Sequence, residues 1–420
     1  MLDRRRNAIY LIIAISLLAG LVTGRAFFYN VSYAFIGLLV FAFFWAWSGA
    51  NWLRLGRQTR AQRAQVGRYL EERFTIRNTS VLPKLWLEIY DESSLPAHRA
   101  SHVVSNLKSR SSSAWTVRTL CLRRGEFMLG PLRVVTGDPF GLFEVERKIS
   151  ATSRLVVYPP TLDLSDFALP IGLLPGGDAL RRQSQQITAN ASGVRDYVPG
   201  DSMNRIHWRS TARKTRLIVK EFELDPLADI WLIMDAERSV HYGRYAPTVE
   251  DADRMPWEQG VTTIPPTTEE YAIAVTASLT RYFLQKDRSV GFATHNQKRD
   301  LIQVDRGPRQ LTKILETLAV LEARGTLPLE QFLSLEGDLL ARGTTVVVIT
   351  PSTRQGWVES AHRLRQRGLR VISILIDAES FGGRSGAEHV AAQLEMIRVP
   401  TYIIRKDDDL RAALSGRRAY

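Results

Sequence analysis

Asp229–Val240 reads DIWLIMDAERSV. Ile230 to Met234 form an unbroken apolar run, the pattern of a strand buried on both faces of a parallel sheet. TTEEYAIAVTASLTRYFLQ follows with helical spacing, placing Tyr271, Val275, Leu279 and Phe283 on one stripe. Strand-like RSVGFATH, TTVVVIT, LRVISILID and TYIIR then alternate with helix-like RQLTKILETLAVLEA, SAHRLRQRG, AEHVAAQLEMI and DDDLRAALSG. This alternation predicts an α/β domain over 229–420, with helices on both faces of a mostly parallel sheet.

Ligands of open parallel sheets sit at the carboxyl ends of the strands. Those ends carry Asp235, Thr350 to Thr353 and Asp377. A carboxylate there either ligates a cation such as Mg²⁺ or caps its own loop through the backbone. The loop after Ser239, HYGRYAPTVEDADRMPWEQGVTTIPP, is long and acidic, and reads as a functional cover or a disordered segment.

Just upstream lies a densely charged stretch, Gly193–Glu223: GVRDYVPGDSMNRIHWRSTARKTRLIVKEFE. VPGD reads as a turn with Asp201 as a helix N-cap. SMNRIHWRSTARK fits a helix and TRLIVKEFE a strand. On that helix Arg205, Arg209 and Arg213 share a face, and like charges at this spacing cost about 0.2–0.5 kcal/mol per pair. They require anions or full solvation. Asp196, Glu221, Glu223 and Asp225 are the internal candidates; a phosphate or an acidic partner segment is the external one. His207 beside Trp208 lacks a Ser or Cys nucleophile motif and reads as a packed or hydrogen-bonded residue of a domain junction.

Between Val66 and Pro160, FTIRN, LWLEIYD, WTVRTLCLR, LRVVTGD and RLVVYPP are short apolar runs separated by turn residues, which predicts a small β-sandwich over 65–160. His98 and His102, in HRASH, have a helical metal-ligand spacing but no helix and no partner Glu motif, so no metal site is expected there. Residues 161–228 are the linker and signature region.

The N-terminus, 1–64, reads as two membrane helices and a basic juxtamembrane segment. Ala8–Gly24 and Ala26–Leu53 carry no charge, and Arg25 alone separates them. The first run spans about 25 Å against a bilayer core of about 30 Å; the second is longer. Trp45, Trp47 and Trp52 read as an interfacial aromatic belt. Arg4, Arg5 and Arg6 precede the first run, and Arg54, Arg57, Arg60, Arg63 and Arg68 follow the second. The positive-inside rule then places both ends in the cytoplasm, at the inner membrane. A cleaved signal peptide is the alternative, but no convincing small-x-small cleavage site lies near Thr23–Ala26.

The chain has 420 residues and a formal net charge of +13, which suits anionic lipid, nucleic acid or acidic protein. Much of that charge flanks the membrane runs, so no specific nucleic acid is expected. Cys121 is the single cysteine, which excludes an intrachain disulfide and a multi-cysteine metal cluster. Neither G-x-x-x-x-G-K-[ST] nor G-x-S-x-G occurs, so the P-loop NTPase and α/β-hydrolase readings lack their motifs.

DIWLIMDAERSV and the alternation after it resemble the opening of a von Willebrand factor A domain. That family holds a divalent cation through Asp-x-Ser-x-Ser, a later Thr and a later Asp. The resemblance maps Asp235 to the first position and Ser239 to the last, puts Glu237 where the first Ser stands, and matches Thr326 in ARGTLPLEQFL to the Thr. Thr350 and Ser352 lie where the later Asp belongs, so the set is incomplete. RRGEFMLGPLRVVTGDPFGLF, the Gly193–Glu223 stretch and the A-like region together resemble the domain-of-unknown-function fifty-eight family over nearly the whole chain. The family's Arg-x-Tyr-x-x-Gly-Asp element appears as Arg195, Tyr197, Gly200 and Asp201. Its Arg-Ile-x-Trp element appears as Arg205, Ile206 and Trp208.

This family resemblance implies a membrane-anchored protein, often encoded beside a MoxR-type AAA+ ATPase. The leading expectation is therefore a non-enzymatic adaptor without cofactor, whose A-like domain recruits such an ATPase. The alternative is a metal- or phosphate-dependent enzyme, with Mg²⁺ at Asp235 and Glu237 and an anionic substrate at Arg205, Arg209 and His207.

Overall fold

The computed structural model describes residues 2–164, 167, 191–198, 206–214, 216–222, 229–245 and 264–415. The chain divides into two units. In the first, α1 (Leu2–Thr23) and α2 (Ala26–Ala50) form a hairpin, and each is long and apolar enough to cross a bilayer. Gly24, at φ +61°, closes α1, and its N–H reaches the carbonyl of Gly20 at 2.9 Å.

The strands of this unit are β1 (Leu53–Thr59), β2 (Arg63–Gln65), β3 (Tyr69–Asn78), β4 (Lys84–Asp91), β5 (His102–Leu107), β6 (Ser112–Leu120), β7 (Gly125–Leu129), β8 (Leu132–Gly137), β9 (Glu144–Ile149) and β10 (Ser153–Tyr158). They make three sheets, ordered β1-β3-β6, β2-β10-β7 and β5-β4-β8-β9. Every pairing is antiparallel except β2 with β10. Strand β1 lies in the segment expected to be a basic juxtamembrane tail. Arg54 alternates with Leu53 and Leu55, whereas Arg57 falls on their inward face, and the strand pairs with β3 from Leu53↔Asn78 to Thr59↔Glu72. Only Asn51 and Trp52 separate α2 from β1.

The end of α2 is built into this unit. Ala42, Ala46, Ser48, Gly49 and Ala50 are buried. A Cβ at Gly49 would stand 2.9 Å from the Thr136 methyl, so the helix approaches β8 at backbone distance. Lys84 of β4 is 2% exposed and donates from Nζ to the Ser48 carbonyl, which would otherwise be an unpaired helix C-terminal acceptor.

The second unit starts at Thr161, and its first described strands are the hairpin of β11 (Ala191–Asp196) and β12 (Ile218–Phe222), with α3 (Trp208–Lys214) between them in sequence. Of the helix expected over Ser202–Lys214, the described part starts otherwise: Ile206 forms a bridge with Val219, and helix begins at Trp208. Then follow β13 (Ile230–Met234), α4 (Thr268–Gln285), β14 (Val290–His295), β15 (Arg299–Asp305), α5 (Gly307–Val320), α6 (Leu329–Gly337), β16 (Thr345–Thr350), α7 (Gln355–Gln366), β17 (Arg370–Ile376), α8 (Ala387–Met396), β18 (Thr401–Ile404) and α9 (Leu410–Leu414). The six-stranded sheet has the order β15-β14-β13-β16-β17-β18, parallel except for β15 at one edge.

Every residue of β13 and β16 is buried, as the apolar runs predicted. Helix α4 departs from the single expected stripe. Tyr271, Val275, Leu279 and Phe283 are buried, and so are Ile273, Ala274, Ala277, Ser278 and Tyr282. The reason is a second cover: the Leu162 N–H bonds Ser278 Oγ at 2.9 Å, and Phe167 packs on the rings of Tyr282 and Phe283.

Candidate functional site

The strand ends of the sheet gather a polar cluster. Asp235 follows β13 and is 3% exposed. Its carboxylate accepts the Thr350 hydroxyl at 2.7 Å and the Glu237 N–H at 3.0 Å. Thr350 Oγ1 in turn accepts the Ser352 N–H at 2.9 Å, so the ends of β13 and β16 are tied through Asp235. Burial pushes the Asp235 carboxyl above its ordinary range, against the opposing charge of His241 and the two hydrogen bonds.

Glu237 is 6% exposed. Arg354, in the turn before α7, grips it with two N–H···O bonds of 2.7 Å each, and gives a third, of 2.9 Å, to Ser239 Oγ. Ser239 donates to Glu237 as well. The Glu237 backbone pairs with Gly325 in a parallel bridge, which brings the ARGT segment against the Asp235 loop. A Cβ at Gly325 would meet the Ala236 carbonyl at 2.8 Å, so this approach needs glycine. Thr326 next to it is exposed. His241 Nε2 lies 2.9 Å from the Asp235 carbonyl, and its Nδ1 3.2 Å from Thr268 Oγ1.

Asp235, Glu237, Ser239 and the segment of Thr326 therefore lie together, but their donor set does not fit a divalent cation. Both Glu237 oxygens face a guanidinium, and Asp235 is held in surroundings that favour its neutral form. No group of three His, Cys, Asp or Glu with metal-site geometry occurs among the described residues. Arg354 was not singled out in the sequence. It follows TPST at the end of β16, where a cation pairing with an acidic Asp-x-Glu loop could have been sought. Asp377 caps the turn after β17 through the Glu379 N–H, and Arg405 lies 3.5 Å from it.

The signature stretch is mostly a local fold. His207 Nδ1 accepts the Ser210 N–H at 3.2 Å and lies 2.7 Å from Ser210 Oγ, so His207 caps α3. Its own N–H reaches the Ile218 carbonyl at 2.7 Å. Trp208, Arg209 and Arg213 are exposed, while Tyr197 is half-buried. The Tyr197 N–H bonds the Leu217 carbonyl. Asp196 pairs with Arg216 at 3.0 Å, both well exposed. Gly200, Asp201, Arg205, Glu223, Asp225, the side chains of Arg195 and Glu221, and residues 246–263 of the acidic loop lie outside the described residues.

A second polar cluster, unforeseen in the sequence, is sealed in the β-rich unit. Arg57, Glu72, Asp91 and His98 have side chains at most 3% exposed. Arg57 Nε meets Glu72 at 2.9 Å, and Nη2 contacts Asp91. His98 Nε2 lies 2.8 Å from Asp91, and Nδ1 2.7 Å from Thr119. His102 instead stacks on Trp115, so the two histidines serve different contacts. The signal lay in YLEERFTIRN, whose alternation sends Glu72 inward with Leu70, Phe74 and Ile76.

Residues 193–380 match the model of a family described as protein of unknown function DUF58. This match supports the DUF58 identification. A full-length relative agrees with it: the uncharacterized protein YeaD of Bacillus subtilis (strain 168) is 23% identical over 383 residues, covering 87% of this chain and 86% of that protein. Solved structures are similar only at a distance. The CARDB domain of the PF1109 protein from Pyrococcus furiosus has a TM-score of 0.20 at 13% identity, covering 25% of this chain and 91% of that chain. The pilus adhesin SpaC from Lactobacillus rhamnosus GG, in its open conformation, has a TM-score of 0.31 at 10% identity, covering 45% and 28%. Likeness at this level carries no argument about fold or activity.

Proposed function

We propose that this DUF58 chain is a membrane-anchored, non-enzymatic adaptor. In this reading α1 and α2 span the inner membrane with both soluble units in the cytoplasm, the β-rich unit is a β-sandwich, and the second unit is a von Willebrand factor A-like domain that recruits a partner protein. The MoxR-type AAA+ ATPase implied by the family resemblance is the partner we assign.

The observation that carries the reading is the pairing of Arg354 with Glu237. In an A-like domain the strand-end crevice is the binding face, and here a protein-borne cation occupies the place of a metal. An ion pair of buried Glu237 and half-covered Arg354, with fixed bidentate geometry, supplies a shaped, pre-organised surface. It leaves no free carboxylate pair for general acid–base work.

The test is site-specific photo-cross-linking in membranes, with the cross-linker at Thr326 and, separately, at exposed Leu339 as a control. Capture of an AAA+ ATPase from Thr326 alone supports the reading. Capture of no AAA+ protein from Thr326, or equal capture from both positions, sinks the partner assignment.

A further inference from the structure

The turn between β8 and β9, Asp138-Pro139-Phe140-Gly141, holds an aromatic ring outward on a rigid mount. The Gly141 N–H bonds the Asp138 carbonyl at 3.2 Å, closing a β-turn in which Pro139 presets the backbone. The Asp138 carboxylate is 3% exposed and accepts the N–H groups of Phe140, Leu142 and Phe143 at 2.8, 2.8 and 2.6 Å. Gly141 takes φ +65°, which a side chain would strain. All this rigidity presents Phe140, which is 48% exposed. A half-exposed ring on so rigid a mount is an apolar surface that an apolar environment would cover favourably.

Its neighbours say what covers it. Phe140 packs edge-on against Phe41 of α2 at 6.5 Å, and Phe143 against Phe43 at 5.7 Å. Phe41 lies nine residues before the end of α2 at Ala50, about 13 Å back along the helix axis. The turn therefore reaches along the helix beyond the Gly49–Thr136 contact near its end. Phe41, Phe43, Phe44 and Trp47 are exposed on the same length of α2. From the other helix, the Arg6 guanidinium sits 5.9 Å over the Phe143 ring.

The arginine level marks the bilayer boundary. From Asn7 to the end of α1 at Thr23 the helix spans about 25 Å, and the hydrocarbon core needs about 30 Å. To cover α1, the apolar core must extend to the height of Arg6, and thus to Phe143 and Phe140. Aromatic rings beside arginines are the composition of a membrane–water interface.

We infer that the Asp138–Gly141 turn is a lipid-contacting wedge, seating Phe140 in the bilayer interface beside α2 with Arg5 and Arg6 at the headgroups. The inference rests on the membrane-spanning reading of α1 and α2.

The experiment uses the full chain in phosphatidylcholine–phosphatidylglycerol vesicles, with an environment-sensitive fluorophore at Phe140→Cys and lipids carrying a spin label near the headgroup. The native Cys121 is fully buried and its thiol is pushed up to about 12, so it stays unlabelled. Tyr33→Cys, exposed within α2, is the membrane control. Tyr69→Cys is the water control, because β3 places it nine residues from the end that meets α2, about 30 Å away.

Loss of fluorescence at residues 140 and 33 but not at 69 supports the wedge. Quenching at 33 alone overturns it while leaving the membrane reading intact. Absence of quenching at 33 overturns both. Oxygen accessibility of a nitroxide at 140 gives a second readout: high in the lipid-seated turn, and equal to that at 69 if the wedge is wrong.

Discussion

Arg354 and Glu237 face each other across the ends of two strands, joined by paired hydrogen bonds of 2.7 Å, although 117 residues separate them in sequence. Glu237 is buried and Arg354 is only partly covered, so the pair is asymmetric: losing the cation would strand a buried carboxylate.

Arg354→Ala should therefore lower the stability of the α/β unit by about 1–3 kcal/mol, less than for a fully sealed pair because solvent screens the exposed guanidinium. Arg354→Lys should recover only part of the loss, since an ammonium cannot match the bidentate geometry. Urea titration of the full chain in detergent, following the Trp231 and Trp357 core, reads both. A wild-type midpoint for Arg354→Ala would refute the assignment.

Asp235 sets a pH dependence. Its carboxyl is raised by burial, so the unfolded chain gives up this proton at lower pH than the folded one. Its contribution is fully present below the ordinary carboxylate range and declines as pH rises through the raised value. Relative to Asp235→Asn, wild type should lose stability across that window by at most about 1.4 kcal/mol per pH unit. Parallel stability–pH curves for the two proteins would contradict this.

In the β-rich unit the sign reverses. Burial raises the Asp91 carboxyl, but hydrogen bonds from His98 and Ser93 and the charge of Arg57 outweigh it and hold it below the ordinary value. Its stabilisation is present above the ordinary carboxylate range and is lost as pH falls through the lowered value. Arg57→Ala should cost about 3–5 kcal/mol, because it leaves two buried carboxylates without their cation. Thermal melts from pH 3 to 7, about the carboxylate range, should show Arg57→Ala depressed throughout, and wild type falling only at the acid end.

Lys84 offers a basic-range counterpart. Burial lowers its amine from 10.5 to about 8. Unfolded chain thus binds more protons between those values, and the Lys84 contribution should grow as pH rises through them. Lys84→Met, which removes the titration, should gain none of that increment. Identical pH slopes for the two proteins would exclude it.

The sequence was most legible where periodicity and burial coincide. Ile230 to Met234 and Thr345 to Thr350 read as buried strands because both faces are covered. Less visible were β15 and α6, whose apolar residues alternate with charges in RDLIQVD and LEQFLSLEG. The strand end carrying Asp235 was readable as a crevice, since topology alone puts ligand sites there. Arg354 was not, because pairing across 117 residues leaves no local pattern. Arg57 escaped for a different reason: arginines after an apolar helix have an ordinary topological role, and only its register opposite Phe74 on β3 reveals an inward-facing side chain.

The junction of α2 with the β-rich unit has a mechanical consequence. A helix followed by two residues and a strand, with Gly49 against Thr136 and Lys84 closing its last turn, has no swivel. Any tilt or axial rotation imposed on α2 becomes a displacement of the strands it abuts. The helix acts as a shaft keyed to its hub, so α2 and the strands it abuts move as a single body.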